Sequence, residues 1–304
     1  MAPEGTKIIP NQWNTFEATL NGDHIVVLYN GAKVVDVRDA RRTTGAIGLQ
    51  SAHPEDPAGA FIGGQNYERV LSSRTTETAL RNTVIYVGAS ICFQVILGTA
   101  VGILLNQPFR GRAVVRSMTL IPWVIPGIVA ATTWAWMFHT EFGITNYMLL
   151  QAGLIDQPRS WLTGADTVLP AVIAVNVWKM FPFVAIMVLA GLQAVPESLY
   201  EAARVDGATF WDEVRHIMLP HLRPVLLSIT LLLMIWGLNG ITIIYAMTQG
   251  GPANRSLITP IQIYKHAFEF FRLNEAAALS LAFFAVVGVL TAIYIYAFGN
   301  TDAE

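Results

Sequence analysis

Hydrophobic residues are concentrated in long runs after about residue 80, whereas the segments before it mix apolar and polar positions. Five runs are long enough to cross the hydrocarbon core of a bilayer, which requires about 20 apolar residues in a helix. They are Thr83–Leu105, Ser117–Phe138, Val168–Leu192, Val225–Met247 and Ala276–Phe298, and Lys179 is the only formal charge in them. Because lipid offers no hydrogen bonds to the backbone, each run is predicted to be a membrane-spanning α-helix.

Several prolines fall within these runs or at their ends, namely Pro122, Pro126, Pro170 and Pro182. Each removes one backbone donor, which frees a carbonyl and allows a helix to bend. Bent helices suit a chain that encloses a solute pathway.

The N-terminal segments have the two-residue period of half-buried strands and are followed by a short apolar segment. They are Trp13–Leu20, Ile25–Asn30 and Lys33–Arg38, and then Gly45–Gln50. Asn21-Gly22 and Asn30-Gly31 lie between them, and Asn-Gly between alternating segments is a strong hairpin signal. We therefore predict a β-meander over residues 1–53. So few strands cannot enclose a core, so the meander is expected to dock on another surface or to be part of a larger domain.

The composition places the chain in a membrane. It is 53% hydrophobic and 13% charged with a mean hydropathy of +0.47, whereas about 25% of the residues of a soluble domain are charged. The net charge of −2 and the absence of a basic block argue against nucleic acid as a partner. We expect the chain to be surrounded by membrane lipid.

Motifs for catalysis, cofactor binding and metal binding are absent from the sequence. It has no Gly-x-x-x-x-Gly-Lys-Ser/Thr phosphate loop, so the chain is not expected to hydrolyse ATP by itself. The six histidines lack metal-site spacing, and the single cysteine, Cys92, excludes an internal disulfide. We expect no catalytic residue, no cofactor and no metal.

A polar segment, Leu199–Arg223, separates the third and fourth apolar runs and is too polar to cross a membrane. It starts with Glu201, Ala202 and Ala203, and Gly207 interrupts the helical pattern. A second amphipathic stretch follows, and Leu219-Pro220 is predicted to end it before the next span. The pattern predicts a helix-turn-helix that lies against the membrane face.

The same segment resembles the EAA loop of binding-protein-dependent ABC import permeases. The matching residues are Glu201-Ala202-Ala203, Asp206-Gly207 and Ile217-Met218-Leu219-Pro220. The resemblance implies that the short helix seats in a cleft of a cytoplasmic ATPase, with Glu201 paired to a basic residue there and Gly207 as the turn. The alternative is an interfacial helix that only caps the bundle.

We call Leu199–Arg223 the coupling loop. If this loop is cytoplasmic, the N-terminus lies outside and the C-terminus inside. Residues 54–79 would then be a linker and periplasmic segment, residues 80–298 the transmembrane domain and residues 299–304 a cytoplasmic tail. Arg110, Arg112 and Arg116 agree with this orientation, whereas the arginines at 69, 74 and 81 do not. The predicted fold is an all-α polytopic membrane protein of five spans and a coupling helix, preceded by the β-meander.

The resemblance extends from about Phe61 to Phe298 and is nearest to sugar and glycerol-phosphate permeases of the maltose-importer type. It rests on Gly63-Gly64-Gln65-Asn66-Tyr67, Asn106-Gln107-Pro108-Phe109-Arg110-Gly111, Leu120-Ile121-Pro122-Trp123, Trp178-Lys179-Met180-Phe181-Pro182-Phe183 and Thr248-Gln249-Gly250-Gly251-Pro252. It implies a subunit of the bacterial or archaeal cytoplasmic membrane. The implied partners are a second homologous permease, an ABC ATPase dimer and an extracytoplasmic solute-binding protein.

Sugar transport calls for aromatic faces, amides and hydroxyls near the midplane, because sugars carry apolar faces and many hydroxyls. The third and fourth runs offer Met180, Phe183, Trp236, Gly237, Asn239 and Gly240. All of these except Asn239 also match positions that approach substrate in the resembling family. The alternative for Trp236 and Asn239 is helix packing alone.

Lys179 lies in the middle of the third run, where a charge is costly and faces a cavity or a partner. We interpret it as a gate or an inter-subunit ion pair. The alternative is that its side chain reaches the interface or pairs with loop carbonyls.

The N-terminal segments resemble the last strands of the 3-keto-disaccharide hydrolase family, which has a concanavalin-like fold. The resemblance rests on Asn11–Gly31 and Gly45–Gln50 and covers a fragment, so no hydrolase residue carries over. In the resembling permeases a further membrane helix precedes Phe61. We therefore expect a longer natural gene, a fusion or a misassembled product.

Two rival functions stay open at this point. One is a permease of the same type for polyols or glycerol phosphate. An anion site, however, would require Arg or Lys side chains facing the pathway, and only Lys179 qualifies. The other is a membrane-anchored carbohydrate-binding or hydrolytic module, although an anchor needs one helix.

Overall fold

The computed structural model describes residues 16–21, 24–29, 32–38 and 64–298. The chain divides into two compact units, Met1–Pro54 and Glu55–Glu304, and each is described by itself. The predicted strand Gly45–Gln50, the linker up to residue 63 and the tail 299–304 lie outside the described residues.

The first unit contains an antiparallel meander of three described strands. They are β1 (Phe16–Asn21), β2 (His24–Tyr29) and β3 (Ala32–Arg38). β2 lies between the other two, pairing Phe16 with Tyr29 and His24 with Arg38 at the ends of its two ladders. The antiparallel pairing predicted for these strands is therefore present, with a register irregularity after Val27. Gly22, Asn30 and Gly31 of the predicted Asn-Gly turns lie outside the described residues.

All the regular elements described in the second unit are helices. Before the polar segment the helices are α1 (Gln65–Leu71), α2 (Arg74–Asn106), α3 (Arg112–Val124), α4 (Gly127–Met137), α5 (Ile144–Gln151) and α6 (Val168–Gln193). They continue as α7 (Glu197–Val205), α8 (Phe210–Glu213), a π-helical segment (Val214–Met218), α9 (Leu219–Asn239), α10 (Thr242–Thr248), α11 (Thr259–Tyr264), a second π-helical segment (Lys265–Glu269) and α12 (Leu273–Phe298).

Four of the described helices are long and apolar enough to cross a membrane, and a bent pair can supply a fifth span. The predicted spans one, three and five correspond to α2, α6 and α12. α2 starts nine residues earlier than predicted because Ser73 caps it, accepting a hydrogen bond from the Thr75 amide at 3.2 Å. Its first turns are polar and extend beyond the apolar run.

The predicted second and fourth spans differ from single helices. Ser117–Phe138 forms α3 and α4, which meet at an angle of 92° at Ile125 and Pro126. Pro126 cannot continue the hydrogen bonds of α3, and the residue before a proline avoids helical conformation. Val225–Met247 is interrupted at Gly240 and Ile241, where α9 ends and α10 begins.

The core of the helical unit is built on the contact between α2 and α6, the most extensive helix pair. Gly98 and Gly102 on α2 face Val184 and Val188 on α6, and a Cβ atom at Gly102 would lie 2.7 Å from Val188. Small residues four apart allow helix backbones to approach closely in a membrane. These two elements form one wall of the site described next.

Candidate functional site

The polar segment folds as the predicted helix-turn-helix. α7 ends at Val205 with Asp206 as its C-cap, and Gly207 follows with φ of +79°, a left-handed conformation that favours glycine. Thr209 then caps α8, because its amide donates to the Asp212 carboxylate at 2.9 Å while its side chain accepts from the Asp212 amide. The chain turns at Gly207 because glycine tolerates the left-handed backbone conformation. The next helix begins after Thr209 because the side chains of Thr209 and Asp212 cap its first turn.

The predicted helix end at Leu219-Pro220 is wrong. α8, the first π-helical segment and α9 form one helix that passes through Pro220. The Leu219 amide donates to the Val214 carbonyl, five residues back. This wider turn immediately precedes Pro220, which has no amide hydrogen to donate, so the helix accommodates the proline without ending.

The predicted coupling residues fall on different faces of this unit. Glu201 and Ala202 are exposed on α7, where Val205 continues the same face with 88% of its surface exposed. Ala203 is half-buried on the opposite side. Asp206, Gly207, Leu219 and Pro220 are exposed, whereas Ile217 is half-buried. The segment thus presents the face with Glu201 outward.

An ion pair that sequence reasoning missed joins the two helices of this segment. Arg204 Nε on α7 donates to Glu213 Oε1 on α8 at 2.9 Å, and Glu213 is buried. Burial, and then the nearby Glu213 carboxylate, raise the pKa of the Tyr200 phenol above its ordinary value. The available signal was the pair of opposite charges on the two sides of Gly207.

A cavity of about 210 Å³ lies between α2, α6 and α9, with α4 and α10 contributing to its wall. The predicted pathway residues that line it are Met180, Trp236, Gly237 and Gly240, and Lys179 lines it too. Residues from two separate apolar runs are therefore brought to one place. Lys179 is the only formally charged residue among the described residues of this wall.

Several polar residues of the cavity wall were missed. Tyr86, Ser90 and Gln94 follow one another at four-residue spacing on α2, and all three are buried. Gln94 Nε2 donates to the Asn176 carbonyl of α6 at 3.3 Å. Ser90 Oγ has no hydrogen-bond partner among the described residues. A polar stripe at helical spacing inside an apolar run was the signal that could have found them.

Residues 94–300 match the family described as the binding-protein-dependent transport system inner membrane component. This match covers more than half of the chain. The chain is a member of this family. It is accordingly a multi-pass membrane subunit of a transport system.

Relatives of this permease have names that specify solutes. The trehalose/maltose transport system permease protein MalF of Thermococcus litoralis is 37% identical over 245 residues, covering 80% of each chain. The sulfoquinovosyl glycerol transport system permease protein SmoG of Agrobacterium fabrum is 32% identical, covering 82% of this chain and 79% of its own.

The fold also has a solved counterpart. A crystal structure of a bacterial ABC transporter involved in the import of the acidic polysaccharide alginate matches with a TM-score of 0.71. Identity is 23%, and the match covers 80% of the permease and 85% of that chain. At this identity the likeness shows the fold alone.

The N-terminal resemblance is confirmed as well. Residues 2–58 match a family described as the 3-keto-alpha-glucoside-1,2-lyase-like domain. This match ends at residue 58, and the match to the transport family begins at residue 94.

Lys179 of the permease is paired with backbone carbonyls at the bend between α3 and α4. Its Nζ donates to the carbonyl oxygens of Ile125 at 2.5 Å and Trp123 at 3.2 Å, with Pro122 at 3.5 Å. The last carbonyls of a helix have no intrahelical partner and carry negative partial charge, which favours a cation there. Of the two interpretations of Lys179, pairing with carbonyls is the arrangement that the structure contains.

Phe183 and Asn239 lie apart from the cavity wall. Phe183 packs between Trp236 and Trp123, with ring centroids 5.1 Å and 5.8 Å away. Asn239 is exposed, and its Nδ2 donates to the Ile235 carbonyl one turn back at 2.7 Å. Phe183 therefore supports the aromatic residue of the wall, and Asn239 does not face the cavity.

No cluster of three or more His, Cys, Asp or Glu residues that could hold a metal ion occurs in the described part of the permease. The arrangement offers hydrogen bonds and apolar contact instead.

Proposed function

We propose that this permease is one of the two membrane subunits of an ATP-driven importer for a neutral sugar or oligosaccharide. It works by alternating access at the cavity. Its partners are a second homologous permease, an ATPase dimer that binds the coupling loop, and an extracytoplasmic solute-binding protein. The coupling loop and C-terminus then face the cytoplasm, and the N-terminus lies outside.

The observation that carries this proposal is one continuous helix from the coupling loop to the cavity. It runs from Phe210 to Asn239, about 45 Å at 1.5 Å per residue. One end adjoins the exposed helix that carries Glu201. The other supplies Trp236 and Gly237 to the cavity wall. Movement of the loop by an ATPase therefore moves the wall.

The chemistry of the wall supports a neutral polyhydroxyl substrate. Trp236 provides an aromatic face, while Ser90 and Gln94 provide a hydroxyl and an amide. The ammonium of Lys179 is already engaged by carbonyls of the α3–α4 bend. An anionic substrate such as glycerol phosphate would lack a free cation among the described wall residues. The trehalose/maltose permease among the relatives supports the same substrate class.

Uptake into vesicles containing the reconstituted importer tests the substrate class. We expect ATP-dependent accumulation of labelled neutral disaccharides such as trehalose or maltose, and no competition by glycerol 3-phosphate. Accumulation of glycerol 3-phosphate without any response to neutral sugars would contradict the proposed class.

A further inference from the structure

α7 is held against the rest of the molecule by two side chains that lie one turn apart on its inner face. The ring of Tyr200 packs against the hydrophobic core cluster that contains Val188, Val214 and Met218. Arg204, four residues later, donates its Nε to the Glu213 carboxylate. Residues four apart share one face of a helix, so both anchors act on the same side. Glu201 and Val205 on the same helix are exposed.

The turn between α7 and α8 contributes little packing of its own. A Cβ atom at Gly207 would meet no atom within 4 Å, and Asp206 and Gly207 are both exposed. Backbone hydrogen bonds close the turn, from the Gly207 amide to the Arg204 carbonyl at 3.1 Å and from the Ala208 amide to the Ala203 carbonyl at 2.9 Å. Side chains that bridge α7 and α8 add to this short turn in fixing the angle between the two helices.

Glu213 stands at the base of the long helix that reaches the cavity. Its side chain is 9% exposed, whereas that of Arg204 is 64% exposed. A carboxylate in this position loses much of its hydration and depends on its partner for compensation. Neutralising only Arg204 leaves that charge uncompensated, whereas neutralising both residues removes the penalty.

We propose that Arg204 and Glu213 form a positioning clasp that makes α7 move as one body with the α8–α9 helix. The clasp carries displacement of α7 across the Gly207 turn to the cavity wall. Without it, α7 pivots at Gly207 when it is pushed, and the long helix follows incompletely. This inference rests on the proposed function, in which α7 receives the ATPase.

The test is the amount of solute transported per ATP hydrolysed by the complete importer in vesicles. Coupling energies between contacting residues correspond to about 2- to 100-fold changes in an equilibrium. We expect Arg204→Gln to lower the transport-to-hydrolysis ratio at least about fivefold while the ATPase still co-purifies. The double variant R204Q/E213Q, in which two amides can hydrogen bond, should restore the ratio to within about twofold of the unaltered importer.

The matched control is Arg159→Gln, which removes an exposed arginine from the segment between α5 and α6, outside the coupling loop, and should leave the ratio unchanged. Rescue by the second substitution separates an internal clasp from direct contact of Arg204 with the ATPase. It also separates the clasp from simple misfolding, which size-exclusion profiles of each variant monitor. E213Q alone supplies a second single variant if R204Q assembles poorly, and it should also lower the ratio.

An unchanged ratio in R204Q and E213Q, or a double variant no better than R204Q, would overturn the clasp. Failure of the proposed function gives a different result, because then no ATPase co-purifies even with the unaltered chain. The two failures are therefore distinguishable in the same preparations.

Discussion

The Nζ atom of Lys179 on α6 lies 2.5 Å from the carbonyl oxygen of Ile125, the C-cap residue of α3 at its bend into α4. A lysine from one span thus stabilises the broken end of another beside the cavity. The charge is tolerated at this position because helix-end carbonyls replace part of its hydration.

Replacing Lys179 with methionine should loosen the α3–α4 bend, because it removes the donor to three carbonyls but keeps a side chain of similar length. We expect solute uptake to fall about fivefold or more, since the part-buried carbonyls of Pro122 and Ile125 lose their charged donor, and leaving an acceptor unsatisfied costs about 1–3 kcal/mol. The measurement is the initial uptake rate in vesicles at equal protein content. Lys265→Met is the control, and equal uptake by the two variants would exclude a role for Lys179 in the pathway.

Gly102→Val should destabilise the permease, because the new side chain meets Val188 and the Ala185 carbonyl at less than 3 Å. Overpacking of this kind costs about 1–3 kcal/mol, which corresponds to a decrease of roughly 2–12 °C in the unfolding midpoint. Thermal unfolding in detergent provides the measurement.

The control for this change is Gly88→Val on the same helix, where a Cβ atom meets nothing within 4 Å. Its unfolding midpoint should stay near that of the unaltered chain. A larger decrease for Gly88→Val than for Gly102→Val would show that the α2–α6 contact is wrong.

The bilayer-spanning runs and the turn at Gly207 could be predicted because each depends on local chemistry. Lipid forces apolar runs into helices, and a glycine between two amphipathic stretches favours a turn. The continuous passage through Pro220 could not be predicted, because proline ends most helices. Only the wider hydrogen-bonding turn before it allows this proline to stay inside.

The cavity could be predicted only in part. Trp236 and Gly237 stand out as an aromatic residue beside a glycine in an apolar run. Ser90 and Gln94 contribute to the same wall because the Gly98 and Gly102 contact brings α2 against α6. The contact between α2 and α6 depends on tertiary packing. The polar positions on α2 can therefore be read from the sequence, but the helix that they face cannot.

Trp236→Ala should reduce transport because the cavity loses the aromatic face of Trp236 and Phe183 loses one of its two ring partners. Aromatic contacts contribute about 0.5–1.5 kcal/mol beyond their buried area, so we expect uptake to fall about two- to tenfold. Asn239→Ala serves as a control from the same region, since its amide bonds to its own helix. The uptake rates at saturating binding protein compare the two, and a greater loss for Asn239→Ala would show that the cavity is misassigned.

In the proposed importer, the exposed face of α7 receives an ATPase and drives the cavity wall through the α8–α9 helix. Glu201→Ala tests it most directly, because Glu201 is exposed on that face. The measurement is ATPase co-purification together with ATP hydrolysis stimulated by solute-loaded binding protein. We expect Glu201→Ala to lose most of both while the permease keeps its unfolding midpoint. Unchanged assembly and unchanged stimulated hydrolysis would contradict it.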